Sequence, residues 1–329
     1  MSKDLKVLVS SNDFPESAIK ILSDKFTVVV SRYSNYGESA RTVNREELLR
    51  LIPGCAALVW CSDSPITKEL LDAAGDSLKV VATSSAGYNH CAVDELRARG
   101  IRLSNTPDVL APAVAEVAVS LILGAARRLT ENLAQVRKGV WEIGFSKCLG
   151  QDLRGSTVGV VGLGGIGRAV VKRLVGFEVG RFLYTGHREK PEGKALGAQF
   201  VSLQELLRSS DVIVLAAPLT DETRRMINAE TLGMMKSNAV LVNVGRGDLV
   251  DQDALYDALK NNKIYGAGLD VTSPEPLPRD HKLLTLDNVF ILPHIGSATV
   301  RTRRDMAELA SNNVVRALSG ELLITPVLE

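Results

Sequence analysis

Short runs of β-branched and other apolar residues alternate along the chain with longer stretches whose apolar positions recur every three or four residues. Val7–Val9, Thr27–Val30, Ala57–Trp60 and Val80–Ala82 have the first character and predict four buried strands. Pro15–Lys25 and Arg45–Leu51 have the second and predict helices between them. Ile101–Leu103 supplies a fifth strand. Strands that are apolar throughout, separated by amphipathic helices, predict a parallel sheet covered on both faces.

A long helical stretch follows, from Ala113 to Lys138, with Val114, Val117, Ala118, Leu121, Ile122 and Ala125 on a broad apolar face. Gly124 and Ala125 are small enough to let another element come close. The segment from Lys138 to Asp152 is polar with an aromatic residue, Trp141, and predicts a loop or arm. A second series of strands begins at Thr157 and continues through Phe182–Thr185, Asp211–Leu215, Ala239–Val244, Gly266–Val271 and Val289–Leu292. Six strands with helices between them meet the needs of a complete dinucleotide-binding domain. The last helical stretch, Ala298 to Gly320, carries Met306, Leu309, Ala310, Val314 and Leu318 as its stripe. Too few residues follow it to build another domain, so it is expected to return to the first. The expected organisation is two Rossmann-like, doubly wound α/β domains with a cleft between them. Residues 1–106 and 298–329 form one, a substrate-binding unit, and residues 107–297 form an inserted dinucleotide-binding unit.

Composition narrows the partner class. At 329 residues, two domains are expected, each able to bury a core. The 39 Lys and Arg against 38 Asp and Glu leave a formal charge of +1, which gives no broad electrostatic reason to bind nucleic acid or an acidic membrane. The longest uncharged apolar stretch near a helix, Val117 to Ala126, is far short of a membrane span, and residues 1–9 lack the apolar core of a secretory signal. Cys55, Cys61, Cys91 and Cys148 show neither paired spacing nor disulfide-scaffold density, so reduced thiols in a cytoplasmic enzyme are expected. No His, Cys and carboxylate spacing resembles a metal site, and no metal is expected.

The chemistry begins in Val158-Gly-Val-Val-Gly162-Leu-Gly164-Gly165-Ile166-Gly167-Arg168, a GxGxxG pattern after an apolar strand and before a helix. Gly162 permits a tight turn, Gly164 lets backbone approach a pyrophosphate, and Gly167 allows helix to lie close on strand. The helix N-terminus, at Gly165 and Ile166, offers N–H groups and a positive dipole to phosphates. A glycine-rich turn without ligand is the plain alternative. Cofactor choice is read at the end of the next strand, at Thr185-Gly186-His187-Arg188. Gly186 stands where an acid normally receives the adenosine ribose, and Arg188, with His187 and Lys190 nearby, suits a 2′-phosphate. NADP(H) is therefore expected over NAD(H), against the alternative of a solvated loop whose basic character Glu189 dilutes.

Three further residues lie at the carboxyl ends of predicted strands, where open α/β sheets carry ligands. They are Arg246 in NVGRGD, Glu275 in GLDVTSPEP and His294 in LPHIGSAT. Each alone has an ordinary explanation: a surface charge, a capping carboxylate between prolines, a loop histidine. Together, downstream of a dinucleotide loop, they form a candidate catalytic set. The sequences GLGGIGR, NVGRGDLVD, GLDVTSPEPLP and LPHIGSAT, with TSSAGYNH at 83–90 and TPDVLAPAVAE at 106–116, resemble the D-2-hydroxyacid dehydrogenases over nearly the whole chain. The last half is most similar to the glyoxylate/hydroxypyruvate reductase branch of that family.

The resemblance implies hydride transfer between a nicotinamide cofactor and a small 2-oxo or 2-hydroxy acid. It implies His294 as proton donor, and Glu275 as the partner that favours its charged form and fixes which ring nitrogen faces substrate. Arg246 would hold the substrate carboxylate and carbonyl. The backbone N–H groups of Ser85, Ala86 and Gly87 would complete the carboxylate site. Asn243 and Gly245 would lie along the cofactor and Asp270 near the nicotinamide carboxamide, with mid-strand polar packing the rival for Asp270. Ser297 could accept a hydroxymethyl group or cap the last helix. His90 and His281, without partner motifs, are expected to be structural or solvated. Trp141 either reaches a second copy or is an exposed anchor, and the resemblance suggests a homodimer through the Ala113–Lys138 helix and its arm. The alternatives are an NAD-dependent dehydrogenase of another 2-hydroxy acid and, in another class, a dinucleotide-sensing corepressor-like binding protein.

Overall fold

The computed structural model describes residues 4–32, 44–62, 64–142 and 144–329. Residues 1–3 of the N-terminal stretch and Ile143 of the arm, both covered by the expectations above, lie outside the described residues. The described chain divides into two units, Met1–Leu110 with Ala298–Glu329, and Ala111–Ser297.

The first unit opens with β1 (Lys6–Val9), α1 (Glu16–Ser23), β2 (Thr27–Val30), α2 (Arg45–Leu51), β3 (Cys55–Trp60), α3 (Lys68–Ala74), β4 (Val80–Thr83), α4 (Val93–Ala98) and β5 (Arg102–Ser104). Within the inserted unit come α5 (Ala111–Ala126), α6 (Leu129–Arg137), β6 (Thr157–Val161), α7 (Gly165–Leu174), β7 (Arg181–Thr185), α8 (Pro191–Ala195), β8 (Ala198–Phe200) and α9 (Leu203–Ser209). It ends with β9 (Val212–Leu215), α10 (Ala229–Gly233), β10 (Val240–Asn243), α11 (Gln252–Lys260), β11 (Gly266–Leu269) and β12 (Val289–Ile291). The return to the first unit is α12 (Val300–Leu318) and β13 (Pro326–Leu328).

The first sheet has the order β2-β1-β3-β4-β5-β13, parallel except for β13. Its central strands are buried on both faces, which explains their unbroken apolar character. Successive side chains point to opposite faces. Val7, Val9, Ala57, Val59, Val80 and Ala82 meet Ala310 and Val314 of α12 on one side. Leu8, Leu58, Trp60 and Val81 meet Leu48, Leu70 and Leu96 of α2, α3 and α4 on the other. The chain's return therefore completes a core that residues 1–110 leave half covered.

The second sheet runs β12-β11-β10-β9-β6-β7-β8, all parallel. Taken from β6, this is the 3-2-1-4-5-6 order of dinucleotide-binding sheets with one further strand, and the order reverses between β6 and β9. The expected six strands become seven, because β8 adds a three-residue edge beside β7. A strand of three residues carries no readable alternation, and only its pairing with Phe182–Tyr184 defines it. The same holds for β13, which pairs with β5 through Pro326 and Ser104.

The single helix expected over 113–138 is two. Arg128 has φ of 51°, in the left-handed region, and separates α5 from α6. The chain leaving the arm crosses the end of α5 here: a Cβ on Gly150 would lie 2.7 Å from the Ala126 carbonyl oxygen. The N–H of Gln151 donates to that carbonyl at 2.9 Å, satisfying a group that a continuing helix would have used. The closeness expected at Gly124 is real: a Cβ there would overlap the ring of Phe290 in β12. Glu116 and Arg173, 3.0 Å apart, join α5 to α7. Ser297 does not cap the last helix. Thr299 does, its hydroxyl accepting from the Thr302 N–H at 3.1 Å.

Candidate active site

The turn after β6 is built as its glycines require. Gly162 has φ of 93°, and a Cβ on Gly167 would lie 2.2 Å from the Gly162 carbonyl oxygen, so the helix start rests directly on the turn. The Gly162 N–H donates to Thr185 O at 3.0 Å, tying the turn to the end of β7. Gly164 precedes α7 with no side-chain cap, and a Cβ there would meet nothing within 4 Å. An open cradle beneath the first N–H groups of a ten-residue helix, Gly165 and Ile166 leading it, fits a pyrophosphate. Beside it, Gly186, His187 and Arg188 are exposed at the end of β7. His187 faces Glu222 at 3.7 Å, while Lys190 reaches back to donate to Leu163 O at 3.2 Å. Lys190 thus reaches the glycine turn itself.

Arg246 follows β10 in a turn tied by Asn243, whose side chain donates to Arg246 O at 2.8 Å and accepts from Gly245 N–H at 3.0 Å. Asn243 is 1% exposed and its side-chain hydrogen bonds go to this turn. Arg246 Nη1 donates to Gly245 O at 2.9 Å. The next residue, Gly247, lies flat on the loop after β11: a Cβ would stand 2.0 Å from Thr272 O. Asp248 then accepts from the Ser273 hydroxyl at 2.6 Å and from Arg224 at 2.9 Å. Gln252, opening α11, both accepts from Ser273 N–H at 3.0 Å and donates to Ser273 O. The segment bearing Arg246 thereby fixes the loop that bears Glu275.

Glu275 uses both oxygens. Oε1 accepts from Thr272 N–H at 2.9 Å, and Oε2 lies 2.8 Å from His294 Nδ1. The two side chains are 26% and 22% accessible, enclosed yet reachable. Nδ1 faces Glu275, so Nε2 lies on the opposite side of the ring. His294 itself has φ of 56°, uncommon for a residue with a Cβ and typical of strained functional positions. What holds it there is Asp270, one residue past β11 and 2% exposed. Its two oxygens accept from Ile295 N–H at 2.7 Å and Gly296 N–H at 2.8 Å. Burial pushes the Asp270 carboxyl above the usual carboxylate range, while those N–H groups and nearby His294 pull it down. Asp270 acts on the His294 loop from behind.

In the first unit, Ser85, Ala86 and Gly87 follow β4 in a half-buried turn. Among the described residues no recorded acceptor meets their N–H groups, whereas all three carbonyls are engaged. His90 is buried, its Nε2 3.0 Å from Thr83 Oγ1, and His281 accepts from Leu283 N–H at 3.3 Å. Each is engaged with its own segment of the chain. Trp141 is 75% exposed. Among the described residues no group of three or more His, Cys, Asp or Glu is placed to hold a metal, and no helix is long and apolar enough to cross a membrane. Asp248, Gln252 and Ser273 were not among the residues expected at the site. The legible sign was their place inside the motifs that carry Arg246 and Glu275. The pairing between those loops had no signature.

Similarity to known proteins agrees with this geometry. Residues 119–296 match the NAD binding domain of the D-isomer specific 2-hydroxyacid dehydrogenases. The glyoxylate reductase/hydroxypyruvate reductase of Homo sapiens is 49% identical over 286 residues, 86% of this chain and 87% of that protein. A crystal structure of a glyoxylate reductase from Paecilomyes thermophila is 32% identical, covers 99% of each chain and superposes with a TM-score of 0.88. That of an NADPH-dependent glyoxylate/hydroxypyruvate reductase from Sinorhizobium meliloti, in complex with NADP and malonate, is also 32% identical. It covers 98% of this chain and 97% of its own, with a TM-score of 0.82. A reversing parallel sheet with a glycine turn at its switch, an arginine and a histidine–glutamate pair at its carboxyl edge, and these relatives lead to one conclusion: the chain belongs to the D-isomer specific 2-hydroxyacid dehydrogenase family.

Proposed function

We propose that the protein reduces glyoxylate to glycolate and hydroxypyruvate to D-glycerate, prefers NADPH to NADH, and uses His294 as proton donor. The observation that carries this reading is the 2.8 Å pair of His294 and Glu275 at the strand ends that follow the glycine turn. The names of the human and Sinorhizobium relatives support the substrates, and the second of these supports the cofactor.

The bound nicotinamide supplies the hydride. As the substrate carbonyl carbon accepts it, the carbonyl oxygen gains negative charge and needs a proton. His294 gives that proton from Nε2, and Glu275 stabilises the imidazolium that must exist beforehand. Arg246 presents a planar cation to the carboxylate and carbonyl. The N–H groups of Ser85, Ala86 and Gly87 bind the carboxylate, and Ser297 meets the hydroxymethyl group of hydroxypyruvate. Gly162, Gly164, Gly165, Ile166 and Gly167 hold the pyrophosphate, Thr185 and Gly186 the ribose, and Arg188 with His187 the 2′-phosphate. Asn243 and Gly245 would lie along the cofactor, and Asp270 near the nicotinamide carboxamide. In this reading residues 107–297 are the dinucleotide-binding unit, and residues 1–106 with 298–329 the substrate-binding one.

The four free cysteines suit a reducing compartment, which we take to be the cytoplasm. A second copy of the chain is assigned to the apolar face of α6 and its arm, where Leu133, Val136, Trp141 and Phe145 are exposed. Sedimentation of the Leu133→Glu, Trp141→Glu double variant would then give a monomer. The deciding assay offers glyoxylate, hydroxypyruvate, pyruvate and 2-oxoglutarate with NADPH and with NADH. Oxidation of NADPH with the first two and not the last two is expected. Turnover confined to other oxo acids, or to NADH, overturns the assignment.

A further inference from the structure

The turn Ser85-Ala86-Gly87 is held by its carbonyls. Ser85 O accepts from Thr106 N–H at 2.9 Å, Ala86 O from Asn105 Nδ2 at 2.7 Å, and Gly87 O from the Ser85 hydroxyl at 2.6 Å. With every carbonyl turned into the protein, the N–H edge is the edge presented outward. Such a run of backbone N–H groups binds anions.

The groups behind the turn are themselves fixed. Asn105 is 7% exposed and follows β5. Thr325 donates from its hydroxyl to Asn105 O, at 2.6 Å. Asn313 of α12, 0% exposed, holds Thr325 in turn by a 3.0 Å bond to that hydroxyl and a 3.2 Å bond from its N–H. On the other side, Thr83 Oγ1 stands 2.9 Å from Ser85 Oγ and 3.0 Å from His90 Nε2. Counting protons gives this chain a direction. Ser85 has one hydroxyl proton, and Gly87 O takes it. The contact between the two hydroxyls then needs the Thr83 proton, so Thr83 must accept from His90. The order is His90 Nε2–H to Thr83 to Ser85 to Gly87 O, with His90 protonated on Nε2. Serial hydrogen bonds in a buried site polarise and strengthen one another.

We propose that Asn105 and the buried His90–Thr83 pair are positioning residues for the substrate carboxylate. They set the affinity for the oxo acid by aiming the Ala86 and Gly87 N–H groups, without touching substrate or cofactor. The proposal rests on the assignment of that turn to the carboxylate.

Steady-state kinetics of Thr83→Val and Asn105→Ala test it, alongside amide NMR of the cofactor-loaded enzyme titrated with oxamate, an oxo-acid analogue that is not reduced. Either variant should raise KM for glyoxylate about tenfold, leaving kcat at saturation and KM for the cofactor unchanged. Thr83→Ser, which keeps the hydroxyl, should restore the wild-type KM. The ¹⁵N shifts of His90 should report a proton on Nε2. Wild-type KM in both variants, with Ala86 and Gly87 amides that move on oxamate addition, overturns the positioning role and leaves the carboxylate assignment standing. Amides that stay still in the wild type remove that assignment and the proposal with it. Should Thr83→Val fail to fold, the His90 tautomer and Asn105→Ala still decide, since a proton on Nδ1 alone breaks the relay.

Discussion

Glu275 Oε2 lies 2.8 Å from His294 Nδ1, while Glu275 Oε1 accepts from the Thr272 N–H. The carboxylate is thus anchored to its own loop and has one oxygen for the imidazole. Glu275→Gln keeps the anchor and loses the carboxylate charge beside the ring, so on the proposed role of His294 it should lower kcat and leave KM for the cofactor unchanged. His294→Ala should lower kcat by about 10²- to 10⁴-fold, the usual worth of a positioned acid. Steady-state kinetics with glyoxylate check both. A wild-type kcat in Glu275→Gln would reject the pairing as functional.

Arg246 stands in a turn that Asn243 braces from within. Lysine keeps the charge and loses the planar fork. Arg246→Lys should therefore raise KM for glyoxylate and lower kcat together, costing about 10²- to 10³-fold in kcat/KM. A change in KM for the cofactor alone would assign the residue elsewhere.

Asp270 receives two adjacent N–H groups of the loop that bears His294. Asparagine has one oxygen to offer and must point its amide at the other donor. Asp270→Asn should cut kcat by about 10- to 100-fold through misplacement of His294, since a displacement of 1 Å is worth that much. The loss should persist at saturating cofactor and substrate; recovery on raising the cofactor concentration would point to a binding role instead.

Selection of the cofactor is expected to rest on Arg188, with His187 beside it in sequence. A hydrogen bond to a charged group is worth about 1.5–3 kcal/mol, or roughly 10- to 100-fold. Arg188→Ala should weaken NADPH by that factor and leave NADH almost unchanged. Lys190, already engaged with Leu163 O, should affect both cofactors when replaced by alanine. Fluorescence titration of each reduced cofactor measures the ratio.

Asp248 joins the loop that bears Arg246 to the loop that bears Glu275. The Ser273 hydroxyl, seconded by Arg224, holds its carboxyl below the usual range, against burial. A carboxylate held low stabilises the fold above the unfolded value of about pH 4, and loses that contribution as pH falls through its own lower value. Asp248→Asn should lower Tm by a few degrees at pH 7, and the gap should narrow below about pH 4. A gap independent of pH would show that the charge is not what Ser273 and Arg224 read.

Much of this architecture was legible from local pattern. Buried parallel strands read as plain apolar runs, and the glycine turn, Arg246, Glu275 and His294 stood in contiguous motifs at strand ends. Other features carried no local mark. The break at Arg128 follows from the chain crossing at Gly150, some twenty residues later, and the short strands β8 and β13 exist through their partners. Ser297 was read as a possible cap of the last helix; the helix begins two residues later than expected and Thr299 caps it.

The sequence by itself determined the chemistry available: which side chains carry charge, which turns need glycine, and which strands lie between layers, because each is a property of neighbouring residues. Tertiary structure decided orientation. Asp270, read beforehand as a cofactor neighbour or a packed polar group, proves to grip the backbone after His294, and Asn105 reaches Ala86 across nineteen residues. Hydrogen bonds are directional and short, so their partners are settled only when distant segments are brought within 3 Å of one another.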